Sequence, residues 1–110
     1  MLKTLNILTI FPDIVTEWTK YGIVNQGIKK KLINIDIYDL REWGNGKHKQ
    51  VDDSPYGGGP GMVMMVEPLD KAINEINSEK SIFMMPSGSE LTEDIANELV
   101  EYESLTIICG

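Results

Sequence analysis

From Leu2 to Ile10 the chain reads LKTLNILTI, with apolar and polar positions in near alternation. That period, rich in Leu and Ile, predicts a first β-strand. Phe11-Pro12-Asp13 stops it, and Pro12 suits the first position of a helix. Ile14, Val15 and Trp18 share one helical face, so a short helix runs to about Thr19. In YGIVNQGIKKKL, Ile23, Val24, Gly27, Ile28 and Leu32 fall in helical phase, although Gly22 and Gly27 weaken the pattern. INIDIYDL sets Ile33, Ile35 and Ile37 against polar partners, the pattern of a half-buried strand. Arg41 to Gly61 then shows no period, and a stretch of about 20 such residues in a compact domain is usually functional or disordered.

Past this stretch the periods return. MVMMV (Met62–Val66) predicts a short buried strand. Glu67-Pro68 opens a helix with Leu69, Ala72, Ile73 and Ile76 at i, i+3, i+4, i+7. SIFMM (Ser81–Met85) is the next strand, PSGSE turns, and Thr92 caps a helix that turns Ile95, Ala96, Leu99 and Val100 inward. LTIIC (Leu105–Cys109) is the last strand. Strand, helix, strand, helix, strand in succession predicts a mostly parallel sheet flanked by helices, an α/β fold. The last strand is wholly apolar and reads as a buried central one. Ending there suggests the front part of a longer protein.

Composition adds limits. The 110 residues suffice for one small domain. No apolar run approaches the roughly 18–20 residues of a membrane helix, and the amino terminus reads as a strand rather than a signal peptide. A single cysteine, Cys109, excludes an internal disulfide and a cysteine-based metal cluster. These features point to the cytoplasm. The formal net charge of −7 argues against a nucleic-acid partner, but it is unevenly spread. Six acids and no Lys or Arg lie from Pro86 to Gly110, leaving 11 acids against all 10 bases in residues 1–85. Lys29–Lys31 and the Lys47-His48-Lys49 triplet are two small basic spots able to touch phosphates, or simply solvated surface.

The segment DDSPYGGGPGM (Asp52–Met62) carries the strongest chemical signal. Gly57, Gly58, Gly59 and Gly61 resemble a phosphate cradle in composition only. They precede a strand rather than open a helix, and no Gly-Lys-Ser/Thr follows, so neither the dinucleotide fingerprint nor the Walker loop fits. What remains is close backbone approach to a flat ligand, with Tyr56 as a stacking face, or a plain hairpin loop. Asp52 and Asp53 are adjacent and point to opposite sides of an extended chain. One carboxylate matches the N1–H and N2–H donors of a guanine edge; an Asp before Ser-Pro also serves as a turn residue. His48 reads as a phosphate donor, a base or an exposed loop residue. Without a second histidine, metal binding has little support. PSG (Pro86–Gly88) and ICG (Ile108–Gly110) each fall at a strand's carboxyl end, where open α/β sheets bind ligands. They are neighbours if their strands are. Cys109 reads as core rather than nucleophile.

The run VDDSPYGGGPGMVMMVEPL, with LTIFPDI before it, KHKQVDD leading in and IICG at the end, closely resembles the bacterial tRNA (guanine-N1) methyltransferases over the whole chain. The resemblance implies a SPOUT-type α/β fold with a deep trefoil knot, a rare exception to the rule against knots. It implies S-adenosylmethionine held in the knot, magnesium in support, and a homodimer acting on the anticodon stem-loop of tRNA, at the guanosine 3′ to the anticodon. FMMPSG corresponds to the family's cofactor segment, which assigns Phe83, Met84, Pro86, Ser87, Gly88 and Gly110 to the cofactor. Phe83, Met85 and Ser87 replace a tyrosine, a serine and a glutamine, so backbone contacts are what carries over. His48, Asp52, Asp53, Tyr56, Gly57, Gly58 and Gly59 fall on the substrate side. His48 matches the second of two family histidines, and Asn45 replaces the first.

Guanine N1 is protonated at neutral pH, so methylation needs a base and a cationic group to stabilise charge spreading to O6. In the family these are an Asp and an Arg beyond residue 110. The expected chain is therefore residues 1–110 of the cofactor-binding domain, without the completed knot or the tRNA-binding carboxyl-terminal domain, and inactive alone. It holds no catalytic residue and no metal ligand. A stand-alone RNA-binding α/β module without catalysis and a flavodoxin-like structural domain are the rival readings.

Overall fold

The computed structural model describes residues 1–44, 52–53, 63–64, 66–84 and 91–109. Four parallel strands form the main sheet: β1 (Thr4–Thr9), β2 (Asn34–Asp39), β5 (Lys80–Phe83) and β6 (Ser104–Cys109), in the order β2-β1-β6-β5. The helices are α1 (Pro12–Trp18), α2 (Gly22–Lys29), α3 (Val66–Ile76) and α4 (Glu93–Leu99), and a 3-10 turn spans Leu40–Trp43. A separate antiparallel ladder pairs β3 (Asp52–Asp53) with β4 (Val63–Met64).

The four long apolar runs thus became the four parallel strands, with β1 and β6 at the centre. The MVMMV segment did not join them. Among its described residues, Val63–Met64 pairs with the acidic residues upstream, and Val66 already belongs to α3. The stretch from Arg41, without a hydrophobic period, nevertheless contains most of the 3-10 turn and all of β3. Both are too short for a period to register.

Parallel register places Leu8 beside Tyr38 and Ile108, and Ile108 beside Phe83. Leu8, Leu40, Ala72 and Ile108 form the core cluster, with Leu69, Ile73 and Ile76 of α3 packed on it. The apolar stripe read from the sequence is the face α3 buries. Removing Leu8, fully buried, to Ala would cost about 2–5 kcal/mol. One level earlier on the same face the register sets Asp36, Asn6, Thr106 and Ser81 in a row. Asn6 and Thr106 are buried, and both are satisfied: Asn6 Nδ2 donates to the Leu105 carbonyl at 3.2 Å, and Thr106 shares a hydrogen bond with Ser78. A one-residue slip would bury these groups without partners, so the row fixes the register.

The outer helices are covered less than their apolar stripes predict. Neither α1 nor α4 has a buried residue; Ile14 is 70% exposed, and Val100, expected inward, lies past the end of α4 and is 44% exposed. At the α1–α2 junction Gly22 has φ +64°, a conformation that glycine adopts without strain. Thr92 caps α4 as expected, its hydroxyl accepting from the Ile95 N–H at 3.2 Å.

Candidate functional site

Equal register brings the carboxyl ends of the four strands to one edge. Thr9 lies beside Asp39 and Cys109, and Phe83 beside Ile108. The Met84 N–H extends the ladder by donating to the Ile108 carbonyl at 3.0 Å. Because β5 and β6 pair directly, the strands leading into PSG and into ICG are neighbours. Phe83 and Met84 stand at this edge 49% and 62% exposed, an aromatic ring and a thioether open to a ligand. Cys109, next to them on β6, is half-buried, and burial pushes its thiol pKa up. It stays protonated at neutral pH, which fits a packing residue rather than a nucleophile.

Asp52 and Asp53 are paired through their backbone to Met64 and Val63, so the ladder closes the two ends of residues 54–62 on each other. Among the described residues, no strand pairing joins this ladder to the main sheet. Of the remaining residues singled out in the sequence, His48, Tyr56, Gly57, Gly58 and Gly59 on the substrate side and Pro86, Ser87, Gly88 and Gly110 on the cofactor side lie outside the described residues.

One feature of the edge escaped the sequence reading. A cavity of about 370 Å³ lies at the ends of β1 and β2, lined by Ile10, Phe11, Pro12, Asp13, Asp39 and Arg41 among others. Arg41 ties its walls together. Its guanidinium donates to the Ile10 carbonyl and sits 3.9 Å from the Asp39 carboxylate. Its backbone N–H donates to Asp39 Oδ1 at 2.9 Å. Phe11, 51% exposed, is held by its own N–H to Thr9 Oγ1 at 3.0 Å. The available signal was Asp39 two residues before Arg41, the spacing of an Asx-turn. Among the described residues no group of three or more His, Cys, Asp or Glu could hold a metal ion, and no helix is long and apolar enough to cross a membrane.

A parallel sheet flanked by helices defines an α/β domain, an architecture that holds ligands at the carboxyl ends of its strands. Known proteins resolve the class. The family described as tRNA (Guanine-1)-methyltransferase TrmD matches residues 3–110. The tRNA (guanine-N(1)-)-methyltransferase of Ehrlichia canis (strain Jake) is 39% identical over 114 residues, covering 100% of this chain and 48% of its own length. That of Buchnera aphidicola subsp. Acyrthosiphon pisum (strain APS) is 46% identical over 110 residues, covering 96% of this chain and 46% of its own length. The crystal structure of tRNA (m1G37) methyltransferase from Aquifex aeolicus superimposes with a TM-score of 0.85 at 39% identity, over 100% of this chain and 51% of that one. The chain belongs to the tRNA (guanine-1)-methyltransferase family. It spans about half the length of the curated relatives it matches.

Proposed function

We propose that this chain is the amino-terminal part of an enzyme that methylates N1 of the guanosine 3′ to the anticodon of tRNA, with S-adenosylmethionine as donor. The observation that carries the reading is the family match through residues 3–110. The carboxyl edge of β5 and β6 fits the cofactor: the exposed Phe83 and Met84 give an apolar wall for an adenosine. S-adenosylmethionine, when bound, supplies an electrophilic methyl group.

In this reading Phe83, Met84, Pro86, Ser87, Gly88 and Gly110 hold the cofactor. His48, Asp52, Asp53, Tyr56, Gly57, Gly58 and Gly59 receive the target guanosine, the glycines by letting backbone approach the base closely. The base that takes the N1 proton, the cation that balances O6, the completed trefoil knot and the tRNA-binding domain belong to sequence outside these 110 residues. Magnesium support, a homodimer, the anticodon stem-loop as partner and a cytoplasmic location belong to the same proposal.

The test is methyl transfer from labelled S-adenosylmethionine to an unmodified tRNA transcript, by the full-length chain and by residues 1–110 alone. The full-length chain is expected to place the methyl on N1 of that guanosine, and the 110 residues to transfer none. Methylation at another atom would overturn the proposed reaction. Transfer by the 110 residues would overturn the assignment of the base to other sequence.

A further inference from the structure

The amino-terminal end of the sheet carries a charge pattern that the methyl-transfer site does not use. Lys3 and Lys31 line one groove of about 520 Å³, with Leu2, Ile28, Leu32 and Asn34 in its walls. The Asn34 N–H donates to the Lys3 carbonyl at 2.8 Å, which fixes Lys3 against the end of the α2–β2 connection. Lys29 and Lys30 precede Lys31 directly, and all four lysines are exposed. The described residues include eight Lys and Arg, of which Lys20, Arg41 and Lys71 form ion pairs. Four of the other five meet at this corner. The fifth, Lys80, starts β5 at the far edge, directly after Glu79, whose carboxylate accepts from the Glu103 N–H at 3.1 Å.

Two structural accounts of these lysines fall short. Cations in the last turn of a helix favour its dipole, which covers Lys29 and Lys30, but Lys3 is on no helix. Lys31 does worse than fail to help. It sits at φ 58°, in the left-handed region. Leu32 N–H to Gly27 carbonyl and Lys31 N–H to Ile28 carbonyl, both 3.0 Å, form a Schellman ending with Lys31 at its left-handed position. Glycine suits that position, and asparagine tolerates it, as Asn77 does after α3 with φ 52°. Lys31 takes that position at a conformational cost and brings its charge to the groove that Lys3 also lines.

We propose that Lys3, Lys29, Lys30 and Lys31 form a contact surface for RNA phosphates, which takes up a part of the tRNA remote from the target base. The proposal rests on the tRNA reading above. Six-residue strands at about 3.3 Å per residue put this corner ~20 Å from the carboxyl edge. It therefore does not touch the reacting guanosine and acts on affinity, not chemistry. Acidic residues lie on the neighbouring elements: Asp36 of β2, whose carboxylate accepts from Asn34 Nδ2 at 3.1 Å, and Glu103 before β6, whose backbone carbonyl accepts from the N–H of Lys3 and Thr4. They confine the phosphates to the α2 side of the corner.

The experiment measures tRNA binding by the full-length chain between roughly 50 and 200 mM salt, where each phosphate contact contributes about 0.7–0.9 to the slope of log K against log salt. The variant K3Q/K29Q/K30Q/K31G is expected to lose about 3 units of slope while keeping S-adenosylmethionine affinity and the methylation rate at saturating tRNA. Lys31→Gly alone separates charge from folding. It is expected to raise the melting temperature and to weaken tRNA binding about 5- to 8-fold near 0.1 M salt. An unchanged slope in a variant that still melts cooperatively and methylates overturns the surface but leaves the enzyme reading intact. Lysine-dependent binding of polyglutamate with an unchanged tRNA slope overturns it in favour of an acidic protein partner. Failure of the wild type to bind or methylate tRNA overturns both readings.

Discussion

Single residues carry much of what distinguishes this chain. Cys109 ends a central strand, and burial raises its pKa by disfavouring the thiolate. The sign of the linkage follows. The folded chain holds the proton more tightly than the unfolded one, so Cys109 contributes stability below the ordinary thiol range and loses it as pH rises through the raised value. Alkylation by iodoacetamide is expected to be slower than for a free thiol at mildly alkaline pH, with the midpoint of its pH–rate profile displaced upward. A profile like that of free cysteine would place Cys109 in solvent. At the opposite extreme, Glu17 is exposed; the Tyr21 hydroxyl at 2.8 Å, and then Lys20 at 3.1 Å, hold its carboxylate below the usual range. Solvent screening leaves that pair little weight in stability.

At the scale of elements, α4 tests how far local signals govern this fold. It has no buried residue, and its start depends on the Thr92 hydroxyl. Thr92→Ala is expected to cost about 1 kcal/mol, read as faster hydrogen exchange of the α4 amides, while Thr92→Ser keeps most of the protection. Equal exchange in both variants would show that packing alone holds the helix. The elements most legible in the sequence carry either a sustained period or an unbroken apolar run. β1, β2, β6 and α3 have one or the other, and the structure keeps all of them. The 3-10 turn and the β3–β4 ladder rest instead on single hydrogen bonds and on pairing between segments ten or so residues apart, which leave no periodic trace. The same reason hid the Arg41 cavity. Its walls are side chains meeting across β1 and β2, and the one sequence cue was the Asp39 side chain bonding two residues on. The carboxyl edge was more legible because strand–helix alternation predicts parallel strands whose carboxyl ends share one edge; that β5 and β6 are neighbours on it comes from the structure.

The whole molecule is under-covered for its mass. A folded monomer of 12.4 kDa is expected to expose about 6,100 Å², whereas this chain exposes 7993 Å². The excess has named sources. Ile23 is 84% exposed and Leu91 72%, and Trp18, Tyr21 and Leu32 add large apolar surface on and around α1 and α2. Scattered exposed apolar residues are ordinary, but this many large ones on and around α1 and α2 raise the tendency of the chain to associate. Burying this surface would return about 25 cal/mol per Å² to association, enough to favour contact between copies once the chain is isolated. Residues 1–110 on their own are therefore expected to self-associate. Their weight-average mass in sedimentation should rise above 12.4 kDa with concentration, and they should bind an apolar dye such as ANS. Substituting Ile14, Trp18 and Ile23 together by polar residues should lower that mass without removing the strand signature in circular dichroism, because none of the three belongs to the core around Leu8 and Ile108. A concentration-independent monomer with a sharp two-state melt would overturn the expectation, since it would mean that the core under α3 suffices to hold α1 and α2 in place without a cover.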